Sequence, residues 1–214
     1  MDTRLFRDIN NLARHTAWLH GFMRAYAVDG GIFVMIAILV AAWLLARRDP
    51  DWVHKVSIAV WTGAGTLVAL AVNQPLTHLF GRERPFVALP HVDQLVQHGK
   101  DFGFPSDHGT LVGAVVAGLW IGRFRILAIV AAVFGLVLMF GRVYLGLHYP
   151  GDLVAGAALG SLIVIVLRPL AMRLLVPVVA WTGRGVLAPV VRKGAWGVRP
   201  TVPEAQGPQS ARPA

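Results

Sequence analysis

Five long apolar runs constrain this chain more than any other feature. None contains Asp, Glu, Lys or Arg, and they cover residues 30–46, 56–81, 109–122, 126–141 and 153–167. The first two suit a bilayer core of roughly 30 Å, which a helix of about 20 residues crosses. The later three are shorter, so the charged residues at their ends must face the bundle interior or the interface. Because backbone polar groups need partners inside a bilayer, these runs predict transmembrane helices.

Composition agrees with a membrane protein. Of 214 residues, 56% are hydrophobic and only 14% are charged, which is too few charges for the exterior of a soluble domain of this length. The chain has no cysteine, so disulfides are excluded.

The formal net charge of +9 raises the possibility of a nucleic-acid partner, which its distribution argues against. Basic residues flank the ends of the apolar runs, as in the cytoplasmic loops of membrane proteins. They are Arg47, Arg48 and Lys55, then Arg123 and Arg125, then a group from Arg168 onward. We therefore expect membrane lipid, and no nucleic acid, as the surroundings of this protein.

The order of the runs predicts an all-α, polytopic membrane helix bundle with about five transmembrane helices and an N-terminal interfacial helix. The interfacial helix is expected over 3–27, ended by the Asp29-Gly30-Gly31 stretch, although a helix packed as ordinary core fits its pattern equally well. The spans are predicted near 31–46, 53–75, 107–121, 125–145 and 152–170.

Two domains are expected. Residues 1–175 form the membrane domain, and 176–214 form a basic, Pro-rich cytoplasmic tail that is largely disordered, with a further surface helix possible over 177–194. Alternation of the spans brings the polar loop 76–105 and the stretch 146–152 to the same face of the membrane.

Three sequence blocks on that face carry chemically active side chains. The first block is "GRERP" at 81–85, the second is "GFPSDHG" at 103–109, and the third is "GRVYLGLHYPGD" at 141–152. Arginine presents forked donors that match phosphate oxygens. Ser106 stands where a helix begins, and the backbone N–H groups of such an end favour anions. The blocks therefore predict a site for a tetrahedral anion.

His148 and Asp152 predict the reaction at this site. With Asp152 four residues on, its carboxylate can accept the proton of one imidazole nitrogen and leave the other as an aimed nucleophile. Arg142 would neutralise the phosphoryl group, and His108 would protonate the departing oxygen. These roles describe phosphoryl transfer through a phosphohistidine.

No carboxylate cluster of the kind that binds Mg²⁺ is recognisable, so we expect neither a metal nor another cofactor. His91, Asp93 and His98 in the outer loop offer an alternative metal site, but their irregular spacing favours an ordinary solvated loop.

The three blocks resemble the type 2 phosphatidic acid phosphatase superfamily, whose pattern is K-x6-RP, then PSGH, then SR-x5-H-x3-D. "PSDH" and "RVYLGLHYPGD", with "LFRDINNLA" before the first span, look most like bacterial undecaprenyl-diphosphatases of the bacitracin-resistance type. The resemblance covers roughly residues 5–170. Two positions depart from the pattern, since Thr77 replaces the lysine and Gly141 replaces the serine.

The resemblance implies a role for each matching position. His148 would be the nucleophile, Asp152 its orienting partner and His108 the general acid. Phosphate would be bound by the remaining matched residues, which are Arg84, Ser106, Asp107 through its backbone, and Arg142, with Arg82 and Thr77 as further candidates.

The expected function is therefore a membrane lipid phosphatase that converts undecaprenyl diphosphate to undecaprenyl phosphate. It would lie in the bacterial inner (plasma) membrane with its active site facing the periplasm or exterior. The alternatives are a broader phosphatase acting on phosphatidate or phosphatidylglycerol phosphate, and a non-catalytic anion-binding membrane protein or transporter. A vanadium haloperoxidase is disfavoured because those enzymes are soluble.

Overall fold

The computed structural model describes residues 1–97, 99 and 101–192, and within them the chain is helical without any strand. The predicted all-α fold is thereby confirmed. The helices are α1 Asp2–His15, α2 His20–Ala25, α3 Gly31–Ala46, α4 Trp52–Phe80, α5 Pro85–Ala88, α6 Asp107–Ile121, α7 Arg125–Tyr144, α8 Pro150–Thr182 and α9 Ala188–Val191.

Among the described residues, four helical stretches are long and apolar enough to cross a membrane, namely Ala17–Ala46, Trp52–Ala88, Arg125–Tyr144 and Pro150–Thr182. The fifth predicted span is the shorter apolar helix α6. It packs against α3, α4, α7 and α8, so neighbouring helices surround much of it. The prediction of about five membrane helices therefore corresponds to four full-length spans around one short central helix.

The predicted helix break at Asp29–Gly31 is wrong. The helix instead breaks at Thr16, whose φ of −128° leaves the helical region, while residues 17–46 continue through a 3₁₀ turn, α2, a π-helical turn at Tyr26–Gly30 and α3. Glycine within a helix costs only about 1 kcal/mol. Gly31 serves close packing, because a Cβ there would lie 2.8 Å from the Leu138 side chain.

Helix α1 packs on the bundle through Phe6, Asn10 and Ala13, which are buried, while Leu5 and Leu12 remain exposed. The Asn10 amide donates to the backbone oxygens of Asp93 and Tyr144, at 3.0 and 3.4 Å. Helix α1 is thus fixed over the outer loop and the end of α7.

Helix α8 runs to Thr182, which is twelve residues beyond the predicted end of its span and past the predicted domain boundary at 175. The surface helix expected over 177–194 is replaced by this extension and by the short α9. The predicted disorder of the tail concerns mainly residues 193–214, which lie outside the described residues.

Glycines bring α6 and α8 into very close contact. A Cβ at Gly113 would lie 2.0 Å from the Ala157 oxygen, and one at Gly160 would lie 2.0 Å from the Thr110 oxygen. Small residues at a helix interface let backbones approach closely in membranes. This contact places the start of α6 beside the start of α8, where the Ser106 N–H donates to the Asp152 backbone oxygen at 3.0 Å.

Candidate active site

All three blocks meet at one end of the bundle. Helix α4 ends at Gly81, whose φ of +59° lies in the left-handed region that favours glycine. Helix α6 begins after Ser106, and the 145–149 turn, with Gly146 at φ +80°, joins α7 to α8. Between these ends lies a cavity of about 200 Å³. Its wall contains the predicted residues Thr77, Arg84, Asp107, His108, Arg142 and His148.

The imidazole of His148 is buried and fixed at both nitrogens. Its Nε2 lies 2.8 Å from Nη1 of Arg84, and its Nδ1 lies 3.1 Å from the Gly103 oxygen. A guanidinium can only donate, so Nε2 must accept and Nδ1 must carry the proton. The lone pair of Nε2 is therefore directed at the cationic wall of the cavity.

Asp152 is completely buried next to this imidazole, but it does not make the expected hydrogen bond. Its Oδ2 is 3.7 Å from Nδ1 of His148, and it accepts the Tyr149 N–H at 2.9 Å instead. The first turn of α8 thus competes for the same oxygen, and the Gly103 carbonyl accepts the imidazole proton. The carboxylate of Asp152 therefore lies beside the imidazole without a hydrogen bond to it and is held in the first turn of α8.

Arg84 connects His148 to the outer loop. Its Nε and Nη2 donate to the two carboxylate oxygens of Asp101, at 3.1 and 2.9 Å, while Nη1 also approaches the Leu147 oxygen at 3.3 Å. This forked pairing with a carboxylate is the geometry with which a guanidinium binds phosphate. Arg84 is therefore oriented for an oxyanion at the cavity wall.

Two further polar groups at the site are buried without a hydrogen-bond partner among the described residues. They are Nε of Arg142 and Oγ of Ser106. Arg142 donates from Nη1 to the Ala27 oxygen at 3.2 Å, which leaves its Nε available. A buried donor without an acceptor costs free energy. Arg142 is on the cavity wall, where a phosphate oxygen would satisfy its Nε, whereas Ser106 lies between the wall residues Pro105 and Asp107 without lining the cavity itself.

Asp107 lies at the start of α6, where the first N–H groups have no acceptor within the helix. Its carboxylate accepts from Asn73 at 2.7 Å and from Gln74 at 3.1 and 3.2 Å. Thr77, at the position of the family lysine, donates to the Asn73 oxygen at 2.9 Å. Thr77 therefore supplies a neutral hydroxyl where the pattern has a cation.

Arg82, a further candidate for phosphate binding, is not part of the cavity wall. Its Nη1 donates to Oδ1 of Asp152, and its Nη2 donates to Oδ2 of Asp2, both at 2.7 Å. Its guanidinium also lies 4.1 Å from the ring centre of Tyr149. Arg82 holds Asp152 and the N-terminal helix together.

Positive charge and burial control the protonation of His148. Burial first, and then the charges of Arg84, Arg142 and His108, lower the pKa of His148 well below 6.5, while the hydrogen bond to Gly103 opposes this. His148 is consequently neutral at neutral pH, with an unprotonated Nε2.

The described residues contain no group of three or more His, Cys, Asp or Glu that could hold a metal ion. In the alternative loop site, Asp93 instead pairs with Arg14 at 2.6 Å, and His98 lies outside the described residues.

Sequence reasoning missed several groups that shape this site. Asn73 and Gln74 were detectable, because polar side chains inside an apolar run are functional candidates. The Gly103 carbonyl and Asp101 gave no signal, since their roles depend on the path of the outer loop. That path is fixed in part by the Gly103 N–H, which donates to the Arg82 oxygen at 2.9 Å.

Comparisons with known proteins agree with this geometry. A family model described as "PAP2 superfamily" matches residues 58–175, a range that contains all three blocks.

Two curated relatives are similar over most of their length. Undecaprenyl-diphosphatase BcrC of Bacillus subtilis (strain 168) is 30% identical over 167 residues, which cover 78% of this chain and 80% of the relative. Putative undecaprenyl-diphosphatase YbjG of Escherichia coli (strain K12) is 32% identical over 170 residues, covering 76% and 78%.

Among solved structures, that of LpxE from Aquifex aeolicus aligns with a TM-score of 0.57 at 23% identity, covering 77% of this chain and 93% of that one. This likeness concerns the fold.

Proposed function

Because the chain belongs to the PAP2 superfamily and is a multi-pass membrane lipid phosphatase, we propose that its substrate is undecaprenyl diphosphate and its product undecaprenyl phosphate. The two relatives named as undecaprenyl-diphosphatases support this substrate. The observation that carries the mechanism is the unprotonated Nε2 of His148, held 2.8 Å from Arg84 beside a cationic cavity.

In the first step, Nε2 of His148 attacks the terminal phosphorus. The new N–P bond forms as the bond from phosphorus to the bridging oxygen breaks, and His108 gives its proton to the departing lipid phosphate. Arg84, Arg142, Ser106 and the start of α6 bind the phosphoryl oxygens and stabilise their charge in the transition state.

In the second step, water attacks the phosphohistidine. His108, now neutral, accepts a proton from the water, the N–P bond breaks and inorganic phosphate leaves. Through both steps the proton stays on Nδ1 of His148 and is donated to the Gly103 carbonyl oxygen. The negative charge of Asp152 stabilises the positively charged ring of the phosphohistidine. The protein's own cations supply the charge, so the reaction is expected to need no metal.

The direct test is phosphate release by the purified protein in excess EDTA. Undecaprenyl diphosphate, phosphatidate and phosphatidylglycerol phosphate are compared in parallel, and kcat/KM should be highest for undecaprenyl diphosphate by about tenfold or more. A preference for either phospholipid would support the broader phosphatase instead. Loss of activity in EDTA with recovery in Mg²⁺ would contradict the metal-free mechanism.

The covalent step is tested separately by rapid denaturation during turnover with labelled substrate. An acid-labile phosphate should be found on His148, and His148→Ala should lose both the label and the activity. His15→Ala, which alters an exposed histidine of α1, is the matched control and should retain both. Turnover at the normal rate by His148→Ala would rule out the phosphohistidine and favour a different nucleophile.

We also propose a location in the bacterial inner (plasma) membrane with the cavity open to the periplasm or exterior. The basic clusters at the other end of the bundle support this orientation, because positively charged loops are retained in the cytoplasm.

A further inference from the structure

A second cavity lies at the end of the bundle opposite the candidate active site. Its volume is about 400 Å³, and it is bordered by the start of α4, the end of α6 and the middle of α8. Three basic side chains on its wall carry the argument, Lys55, Arg123 and Arg168, and the wall has a single carboxylate, Asp51. None of them takes part in the phosphatase mechanism.

The three cations are not neutralised by the protein. Within residues 1–97, 99 and 101–192, none of them forms an ion pair. Lys55 donates to the Gly122 oxygen at 3.0 Å and lies 5.0 Å from the centre of the Phe124 ring. Nε of Arg168 is buried without a hydrogen-bond partner among the described residues. An anion in the cavity would supply the missing acceptor.

Arg123 has a strained backbone conformation. Its φ is +61°, in the left-handed region where a residue with a Cβ is disfavoured by about 1–2 kcal/mol relative to its usual conformation. Helices commonly end with glycine in this conformation, but the chain has glycine one position earlier, at Gly122. Strain of this kind persists only where the surrounding structure holds it, and ligand-binding sites are among the places where it clusters.

We propose that Lys55, Arg123 and Arg168 bind a phosphate group, and that this group is the headgroup phosphate of an anionic phospholipid. The location favours a lipid, because the cavity lies at the ends of membrane-spanning helices, where headgroups lie. Leu162 and Ile165, less than two turns before Arg168 on α8, are large apolar side chains exposed on the bundle surface, and they offer contact to an acyl chain. The proposal does not depend on the identity of the phosphatase substrate.

Binding at this site should stabilise the fold, because the headgroup would contact α4, α8 and the turn between α6 and α7, which come together only in the folded state. The purified full-length protein is reconstituted in phosphatidylcholine nanodiscs with increasing phosphatidylglycerol. We expect the unfolding temperature to rise by roughly 5 °C at saturation, and native mass spectrometry to detect retained phosphatidylglycerol.

Arg168→Gln and Arg123→Gly should each lose most of this shift. Arg123→Gly is the more informative variant, because glycine relieves the backbone strain and should keep or raise the unfolding temperature in pure phosphatidylcholine. Arg48→Gln and Arg173→Gln are matched controls. They remove exposed basic residues at the same end of the bundle that do not line the cavity, and they should retain the full shift.

Glycerol phosphate and inorganic phosphate are tested in the same nanodiscs without phosphatidylglycerol. Because soluble phosphate also has a proposed site in the catalytic cavity, only the part of a shift that Arg168→Gln and Arg123→Gly lose is assigned to the second cavity. No such part with either compound supports the lipid as the source of the phosphate, whereas an equal part would overturn the lipid and assign the site to a soluble phosphate. If the phosphatidylglycerol shift is the same in Arg168→Gln and Arg123→Gly as in the wild type, or is equally lost in the controls, the site itself is refuted.

Discussion

The side chain of His148 is surrounded by positive charge, and this decides how it can act. Arg84 donates to its Nε2. A phosphate that entered the cavity would accept hydrogen bonds from this guanidinium while its phosphorus approached the lone pair of Nε2. The same cations keep the imidazole unprotonated, which is the state that a nucleophile needs. Residue-scale predictions therefore concern protonation, orientation and phosphate binding.

The first prediction concerns pH. Since the pKa of His148 is lowered well below 6.5, the imidazole stays neutral as the pH falls through 6.5, and the acid limb of kcat/KM should lie below that value. Arg142→Gln removes one of the charges that lower the pKa of His148. The pKa of His148 should therefore rise in this variant, and the acid limb of kcat/KM should move to higher pH. Comparing both proteins on one substrate cancels the substrate's own ionisation. An unchanged acid limb would contradict control by Arg142.

The second prediction separates Arg82 from Arg84. Arg82 orients Asp152 and does not line the cavity, so Arg82→Gln should lower kcat by about 10–100-fold, the range typical of groups that orient a reacting side chain, with KM nearly unchanged. Arg84→Gln should raise KM as well, because Arg84 is placed to bind phosphate. Steady-state kinetics of the two variants decides the matter. A raised KM in Arg82→Gln alone would make Arg82 a phosphate ligand.

The third prediction concerns Asp152. Asp152→Asn keeps the shape but removes the charge beside the imidazole and weakens the bond from Arg82, so kcat should fall by about 10²-fold. The loss should be smaller than in His148→Ala, because Gly103 still accepts the Nδ1 proton. If Asp152→Asn were as inactive as His148→Ala, a direct contact between Asp152 and the ring during turnover would be required.

Among the helices, α6 and α8 position the site. Ser106, Asp107 and His108 lie at the start of α6, and Asp152 lies at the start of α8. The glycines of the two helices let their backbones approach closely, and this brings the two groups of residues together. A wider separation would pull the Ser106 N–H away from the Asp152 oxygen, 3.0 Å away. Stability and activity are therefore coupled at this contact.

Gly113→Ala tests this coupling, since its Cβ would lie 2.0 Å from the Ala157 oxygen. We expect a loss of about 1–3 kcal/mol in stability, the usual cost of overpacking, together with reduced phosphate release. Gly63→Ala in α4 is the matched control, because a Cβ there meets nothing within 4 Å. It should stabilise its helix by up to about 1 kcal/mol. Thermal unfolding and activity are measured for both, and an unaffected Gly113→Ala would contradict the packing argument.

At the scale of the whole molecule, basic turns distinguish one end of the bundle from the end that contains the candidate active site. The candidate active site lies at one end, and the turns containing Arg47, Arg48, Arg123 and Arg125 lie at the other. Because basic loops are retained in the cytoplasm, we expect the candidate active site to face outward.

Cysteine labelling tests this orientation in a chain that has no cysteine of its own. Gln97→Cys in the outer loop should react with a membrane-impermeant maleimide in intact spheroplasts. Pro50→Cys, in the exposed turn before α4, should react only after the membrane is opened. The reverse pattern would place the active site in the cytoplasm.

Sequence pattern alone predicts the helical class, the approximate spans and the three blocks whose side chains are expected to meet at one site. Apolar runs record burial in lipid directly, and helix alternation then brings the three blocks to one face. For this reason the sequence places His148, Arg84, Arg142 and His108 at one site, and in the structure these four residues line one cavity.

Which hydrogen-bond partners Asp152 and His148 take depends on the tertiary structure. Asp152 had several donors within reach, and only the folded chain shows that Arg82 and the Tyr149 N–H take its oxygens while Gly103 takes the imidazole proton. The helix break at Thr16 and the passage through Gly31 likewise depend on contacts with α7, since Thr16 bonds to Tyr144 at 2.7 Å. Such outcomes depend on distances between residues far apart in sequence, and local pattern carries no information about them.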